Sequence, residues 1–122
     1  MPQVILEYSA NIAQPVETVN ILGELTAVIS AASDIAISNF KSRVIRREEF
    51  LAGGGADGAF VHLAVGVFSG KPFDVKRRIG EDCLEYLEEY FEEAAAKLDL
   101  QITVEIREME KQSYFKSVSE KG

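Results

Sequence analysis

Apolar residues recur along the chain in blocks, and their spacing changes from block to block. Val4, Ile5, Leu6 and Tyr8 make a short apolar run at 3–8, the pattern of a buried strand. The segment "SANIAQP" at 9–15 reads as a loop that closes with Pro15 at the threshold of a helix. From 16 to 32, Ile21, Leu22, Leu25, Val28, Ile29 and Ala32 recur at helical spacing. Residues 35–47 return as an extended segment with a charged end, and "GGGADG" at 53–58 is too rich in glycine for either regular element. In "AFVHLAVGVF" the residues Val61, Leu63, Val65 and Val67 alternate with smaller or more polar ones, which predicts a strand with one strongly apolar face. "SGKPFD" then turns into the longest predicted helix, about 74–98, with a stripe of Ile79, Cys83, Tyr86, Leu87, Tyr90, Phe91, Ala94 and Leu98. "ITVEIRE" at 102–108 alternates again, with Ile102, Val104 and Ile106 on one side. Past Glu110 the tail is polar apart from Tyr114, Phe115 and Val118.

Strand, helix and strand therefore occur twice in the same order, at about 1–50 and 59–110. This predicts an α/β fold in which two tandem βαβ units form a four-stranded sheet with two helices packed on one face, a single domain over 1–122 with a C-terminal tail. "LEYSA" at 6–10 and "GVFSG" at 66–70 echo each other, each placing an aromatic before a serine and a small residue. A two-layer arrangement leaves one sheet face bare, and oligomerisation is the natural way to cover it.

The 122 residues suffice for one core, and 47% hydrophobic with 27% charged residues is a globular balance. A net charge of −7 argues against non-specific nucleic-acid binding, which depends on surplus Lys and Arg. Cys83 is the only cysteine, so no intrachain disulfide forms; with no secretory signal pattern and no apolar run of membrane-spanning length, a cytoplasmic protein is expected. His62 is the only histidine and has no cysteine near it in sequence, so no metal site is expected. More than half of the 13 basic residues fall in "KSRVIRR" and "KPFDVKRR". Such clusters in an acidic chain are either a local anion site or solvated faces paired with Glu48, Glu49 and Asp74.

Pro2 heads the first strand. It is either an ordinary strand start or, once Met1 is removed, a secondary amine. Burial beside an apolar wall and cations would disfavour the protonated form of that amine and fit it for general-base work. Lys41 and Arg43 share one side of the predicted second strand, and Lys71 follows the third strand in "SGKP". All three are natural partners for carboxylates, although lysine lacks the two-pronged fork of arginine. "SGKP" lacks the glycine spacing of a phosphate-binding loop. His62, in mid-strand, is expected to make a structural hydrogen bond, and Cys83 to act as a small hydrophobe. The acids of "EYLEEYFEE" fall on a solvated helix face.

The anchors "MPQVILEYSANI", "SRV" at 42–44, "AFVHL" at 59–63, "SGKP" at 69–72 and "YFK" at 114–116, in this order, resemble the tautomerase superfamily. That superfamily includes 4-oxalocrotonate tautomerase and macrophage migration inhibitory factor-like folds. Within it the chain looks most like the 5-carboxymethyl-2-hydroxymuconate isomerase family. The resemblance implies a cofactor-independent isomerase in which Pro2 is the catalytic base and shuttles a proton within an unsaturated 2-hydroxy or 2-oxo acid. Lys41 and Lys71 fall where the family has carboxylate-binding arginines, and Arg43 lies beside them. It further implies a homotrimer acting on a small carboxylate, with active sites near subunit boundaries. Two rival readings keep the fold: a non-catalytic oligomeric or small-anion-binding protein, and a hydratase or dehalogenase of unsaturated acids.

Overall fold

The computed structural model describes residues 2–121. In chain order it has β1 (Gln3–Ser9), α1 (Thr18–Ser33), β2 (Lys41–Arg47), β3 (Gly58–Phe68), α2 (Phe73–Tyr90), α3 (Glu92–Lys97) and β4 (Asp99–Met109). The strands form one sheet in the order β2-β1-β3-β4. Within each unit the strands run parallel, β1 with β2 and β3 with β4. The two units join through the antiparallel pair β1–β3 at the centre of the sheet.

That central register builds the core. Val4 lies opposite Val65, Leu6 opposite Leu63 and Tyr8 opposite Val61, all on the face the helices cover. Against them α1 places Ile21, Leu25 and Ile29, and α2 places Ile79, Cys83 and Leu87, every one fully buried. The predicted alternation holds along β3, and β1, read as a continuous apolar run, alternates as well, with Ile5 on the opposite face, because a strand turns successive side chains to opposite faces. On β4 the inward residues Ile102, Val104 and Ile106 are only half-buried, as befits an edge strand.

Two elements depart from the sequence pattern. The extended segment 35–47 begins with a tight helical turn, Ile37–Asn39, before β2. The long second helix breaks at Phe91, although its apolar spacing continues to Leu98. Gln14 is the cause. Its amide nitrogen donates to the Tyr90 carbonyl at 2.8 Å, and its amide oxygen accepts from the Ala94 N–H at 3.0 Å. Those two groups would bond each other in a continuous helix, so an inserted side chain splits the ladder. The break leaves Phe91 fully buried, with its ring 6.5 Å from that of Tyr8.

The opposite sheet face carries Gln3, Ile5, Glu7, Arg43, Ala64 and Glu105, and no described helix covers it. It is more polar than a bare apolar face. Arg47 pairs with Glu7 at 2.8 Å, and Arg107 with Glu105 at 3.1 Å. His62 meets Thr103 Oγ1 through Nδ1 at 2.6 Å, the structural hydrogen bond expected of it.

Candidate functional site

The fold opens at one end of the central strand pair for a reason visible in strand lengths. β1 has 7 residues and β3 has 11, and the paired register runs from Gln3–Gly66 to Tyr8–Val61. At the Tyr8 end β3 extends beyond its partner, and Asn11 closes the gap by donating from Nδ2 to the Gly58 carbonyl at 2.8 Å. At the Gln3 end β3 continues through Val67 and Phe68 with no β1 residue opposite, and Pro2 sits at the edge of the opening.

The opening is a cleft of about 620 Å3, within the range of small-molecule sites. Pro2 is buried and forms part of its lining, held in place because its carbonyl accepts the Lys41 N–H at 3.1 Å. Val67, Phe68 and Ile35 supply apolar wall, and Asn39 comes from the tight turn ahead of β2. Lys71 enters from the β3–α2 turn, where Gly70 takes a φ of 109° that disfavours any residue with a side chain. The remaining wall is the chain after β4. Tyr114 stands edge-on to Phe68 at 5.1 Å, and its hydroxyl accepts a hydrogen bond from Gln3 Nε2 at 3.0 Å. Lys111 and Lys116 flank it.

Of the residues singled out from sequence, Pro2 and Lys71 meet in this cleft. Lys41 and Arg43 do not line it within one chain. Their side chains project on the uncovered face, where Arg43 donates to Gln3 Oε1 at 2.9 Å. Neither Arg46, Lys76, Arg77 nor Phe115 is among its lining residues. Asn39, Lys111, Tyr114 and Lys116 were not foreseen as site residues. "YFK" marked the tail, but only the fold shows that Tyr114 turns in while Phe115 is 89% exposed.

The electrostatics are one-sided. Among the described residues, three lysines and no Asp or Glu line the cleft, in a chain of net charge −7. None of those three lysines forms an ion pair with a described residue, whereas Lys76 and Lys97 are each paired with a glutamate. The described residues hold no group of three or more His, Cys, Asp or Glu side chains arranged to bind a metal ion.

A family model described as "CHMI: 5-carboxymethyl-2-hydroxymuconate isomerase" matches residues 2–119. The chain belongs to the 5-carboxymethyl-2-hydroxymuconate isomerase family. It is thereby an isomerase, and its fold agrees with that of solved structures. It is similar to a 5-carboxymethyl-2-hydroxymuconate isomerase from Deinococcus radiodurans R1, with 27% identity, a TM-score of 0.84, and coverage of 97% of this chain and 90% of that one. A 5-carboxymethyl-2-hydroxymuconate delta-isomerase matches at 16% identity and a TM-score of 0.73, over 98% of this chain and 89% of the other. A "Q0 fused 4-OT wild type symmetric trimer" matches at 10% identity and a TM-score of 0.68, over 90% and 87%. The last two show shared fold alone. A search of curated proteins gives no match. No described helix of this family member is long and apolar enough to cross a membrane.

Proposed function

We propose that the protein is a cofactor-independent isomerase of unsaturated 2-hydroxy or 2-oxo carboxylic acids of the 5-carboxymethyl-2-hydroxymuconate type, with the Pro2 amine as general acid and base. The observation that carries this reading is a buried Pro2 in a cleft whose only charged lining residues, among those described, are lysines. Removal of Met1, which lies outside the described residues, frees the Pro2 nitrogen as a secondary amine. Cations around the cleft disfavour prolinium and keep that amine neutral. Neutral Pro2 takes a proton from the enol hydroxyl or an allylic carbon of the substrate and returns it at another carbon. Lys71 binds a substrate carboxylate and stabilises the negative charge that develops on the neighbouring oxygen. Lys41 and Arg43 fit this scheme as carboxylate-binding residues of a homotrimer, in which their exposed face borders a neighbouring subunit. The setting proposed is cytoplasmic, in the breakdown of aromatic compounds.

The test is a spectrophotometric assay of 5-carboxymethyl-2-hydroxymuconate isomerisation. It uses protein made without an amino-terminal tag, alongside Pro2→Ala, with mass spectrometry defining each start. Turnover that falls by roughly 100-fold or more in Pro2→Ala is the expected result. A chain that begins at Pro2 and gives no turnover overturns the substrate assignment. A chain that works with Met1 retained overturns the amine mechanism.

A further inference from the structure

The contact between the tail and β1 fixes more than the position of Tyr114. Arg43 Nη1 donates to Gln3 Oε1 at 2.9 Å, and Gln3 Nε2 donates to the Tyr114 hydroxyl oxygen at 3.0 Å. A guanidinium has donors only, so the Gln3 amide must turn its oxygen to Arg43 and its NH2 group to Tyr114. An amide NH2 does not accept, so the tyrosine oxygen is the acceptor of that bond and its own proton stays unspent. Among the described residues none takes that proton, and no Asp or Glu lines the cleft to compete for it. The ring is held independently, edge-on to Phe68 at 5.1 Å. Gln3 follows Pro2 directly, so the hydroxyl is tied to the residue next to the proposed base.

We infer that Tyr114 is a further catalytic residue, its O–H donating a hydrogen bond to the oxygen on carbon 2 of the substrate, with Gln3 and Arg43 as positioning residues that set its direction. This rests on the reading that the Pro2 cleft is the substrate site. The proton stays on the phenol throughout. Moving a proton between carbons, or from the enol oxygen to carbon, passes negative charge through the oxygen on carbon 2. A donor already aimed there stabilises that state more than the ground state. A neutral phenol suits an oxygen whose charge is partial and transient, whereas Lys71 suits a permanent carboxylate. Arg43 spends one of its N–H groups on Gln3 and keeps the others for a ligand.

Calorimetry with a saturated pair of probes reads the donor apart from turnover. 2-Oxoadipate and adipate share chain length and both carboxylates, and differ by the oxygen on carbon 2. The untagged wild type is expected to bind 2-oxoadipate about threefold or more tighter than adipate, the worth of one neutral hydrogen bond. Tyr114→Phe keeps the ring on Phe68 and is expected to bring the two affinities level, with the melting temperature unchanged. Gln3→Glu retains Tyr114 but presents it with an acceptor in place of a donor, so the phenolic proton turns to the new carboxylate. The added charge weakens both probes alike, and the preference is expected to vanish although the tyrosine is still there. A role in packing alone would not give that result. Where 5-carboxymethyl-2-hydroxymuconate is turned over, Tyr114→Phe should lower kcat by roughly 10- to 100-fold with a smaller change in KM. Equal affinity of the wild type for the two probes, undetectable binding of 2-oxoadipate at millimolar concentration, a preference that survives either variant, or an unchanged kcat in Tyr114→Phe each overturns the assignment. A protein that loses the preference in both variants but isomerises no muconate-type acid upholds Tyr114 as the donor and overturns the isomerase reading instead.

Discussion

Pro2 and Lys71 stand far apart in sequence and meet because β1 begins opposite the point where β3 is about to end. Both were legible beforehand, one as the start of a strand and the other as a cation just past a strand end. Lys71→Ala is expected to lower kcat/KM by roughly 10- to 100-fold, the loss typical of a hydrogen bond to a charged group, with most of the change in KM. Under the proposed mechanism, activity should rise with pH as the Pro2 amine loses its proton, and the rise is read from a pH–rate profile. Tyr114, Lys111 and Lys116 were not legible as site residues, since a polar tail carries no periodicity to show which side chains turn inward. Cys83 behaves as its place on the helical stripe implied. Burial, helped by the nearby Asp82, pushes its thiol up to about 12 from an ordinary 9.0. The folded chain therefore keeps the proton where the unfolded chain releases it. The resulting stability is intact below about pH 9 and lost progressively above it. Urea unfolding between about pH 8 and pH 10 should cost the wild type about 1 kcal/mol more than Cys83→Ala, which lacks the ionisable group.

The strands and α1 followed from the hydrophobic pattern because each buries one face and repeats with its own period. The break between α2 and α3 did not, because its cause is Gln14, remote in sequence and silent until the fold brings it to Tyr90 and Ala94. Gln14→Ala should leave the Ala94 N–H and the Tyr90 carbonyl without their shared partner. Chemical denaturation is expected to show a loss of about 1–2 kcal/mol, with helix content unchanged or raised by the dichroism signal. The glycine-rich connection is more constrained at one position than its composition implies. A Cβ built on Gly58 would lie 1.8 Å from the Ala52 carbonyl oxygen, whereas one on Gly54 or Gly55 would meet nothing within 4 Å. Gly58→Ala is therefore expected to destabilise the fold by about 1–3 kcal/mol, and Gly55→Ala to leave thermal unfolding nearly unmoved.

At the scale of the whole molecule, the two units share an order of elements and one central strand pair, and the cleft that holds Pro2 lies at one end of that pair. One residue beyond the echo of "LEYSA" and "GVFSG", Asn11 stands where the second unit has Lys71, and their fates differ. Asn11 seals its end on Gly58, while Lys71 faces an open cleft. The uncovered sheet face with its ion pairs is the surface through which the proposed homotrimer would assemble. Sedimentation equilibrium should return three copies per particle, and a single-copy mass would remove Lys41 and Arg43 from the site. The hydrogen bond between Gln3 and Tyr114 has a further consequence. It ties together two stretches 111 residues apart, so the polypeptide path is nearly a closed circle. A circular permutant could join those stretches through a short linker and be cut between Gly54 and Gly55, where there is room. Such a chain would retain every strand pairing while turning the Pro2 nitrogen into an ordinary amide, and so separate the architecture from its chemistry within one unchanged set of side chains.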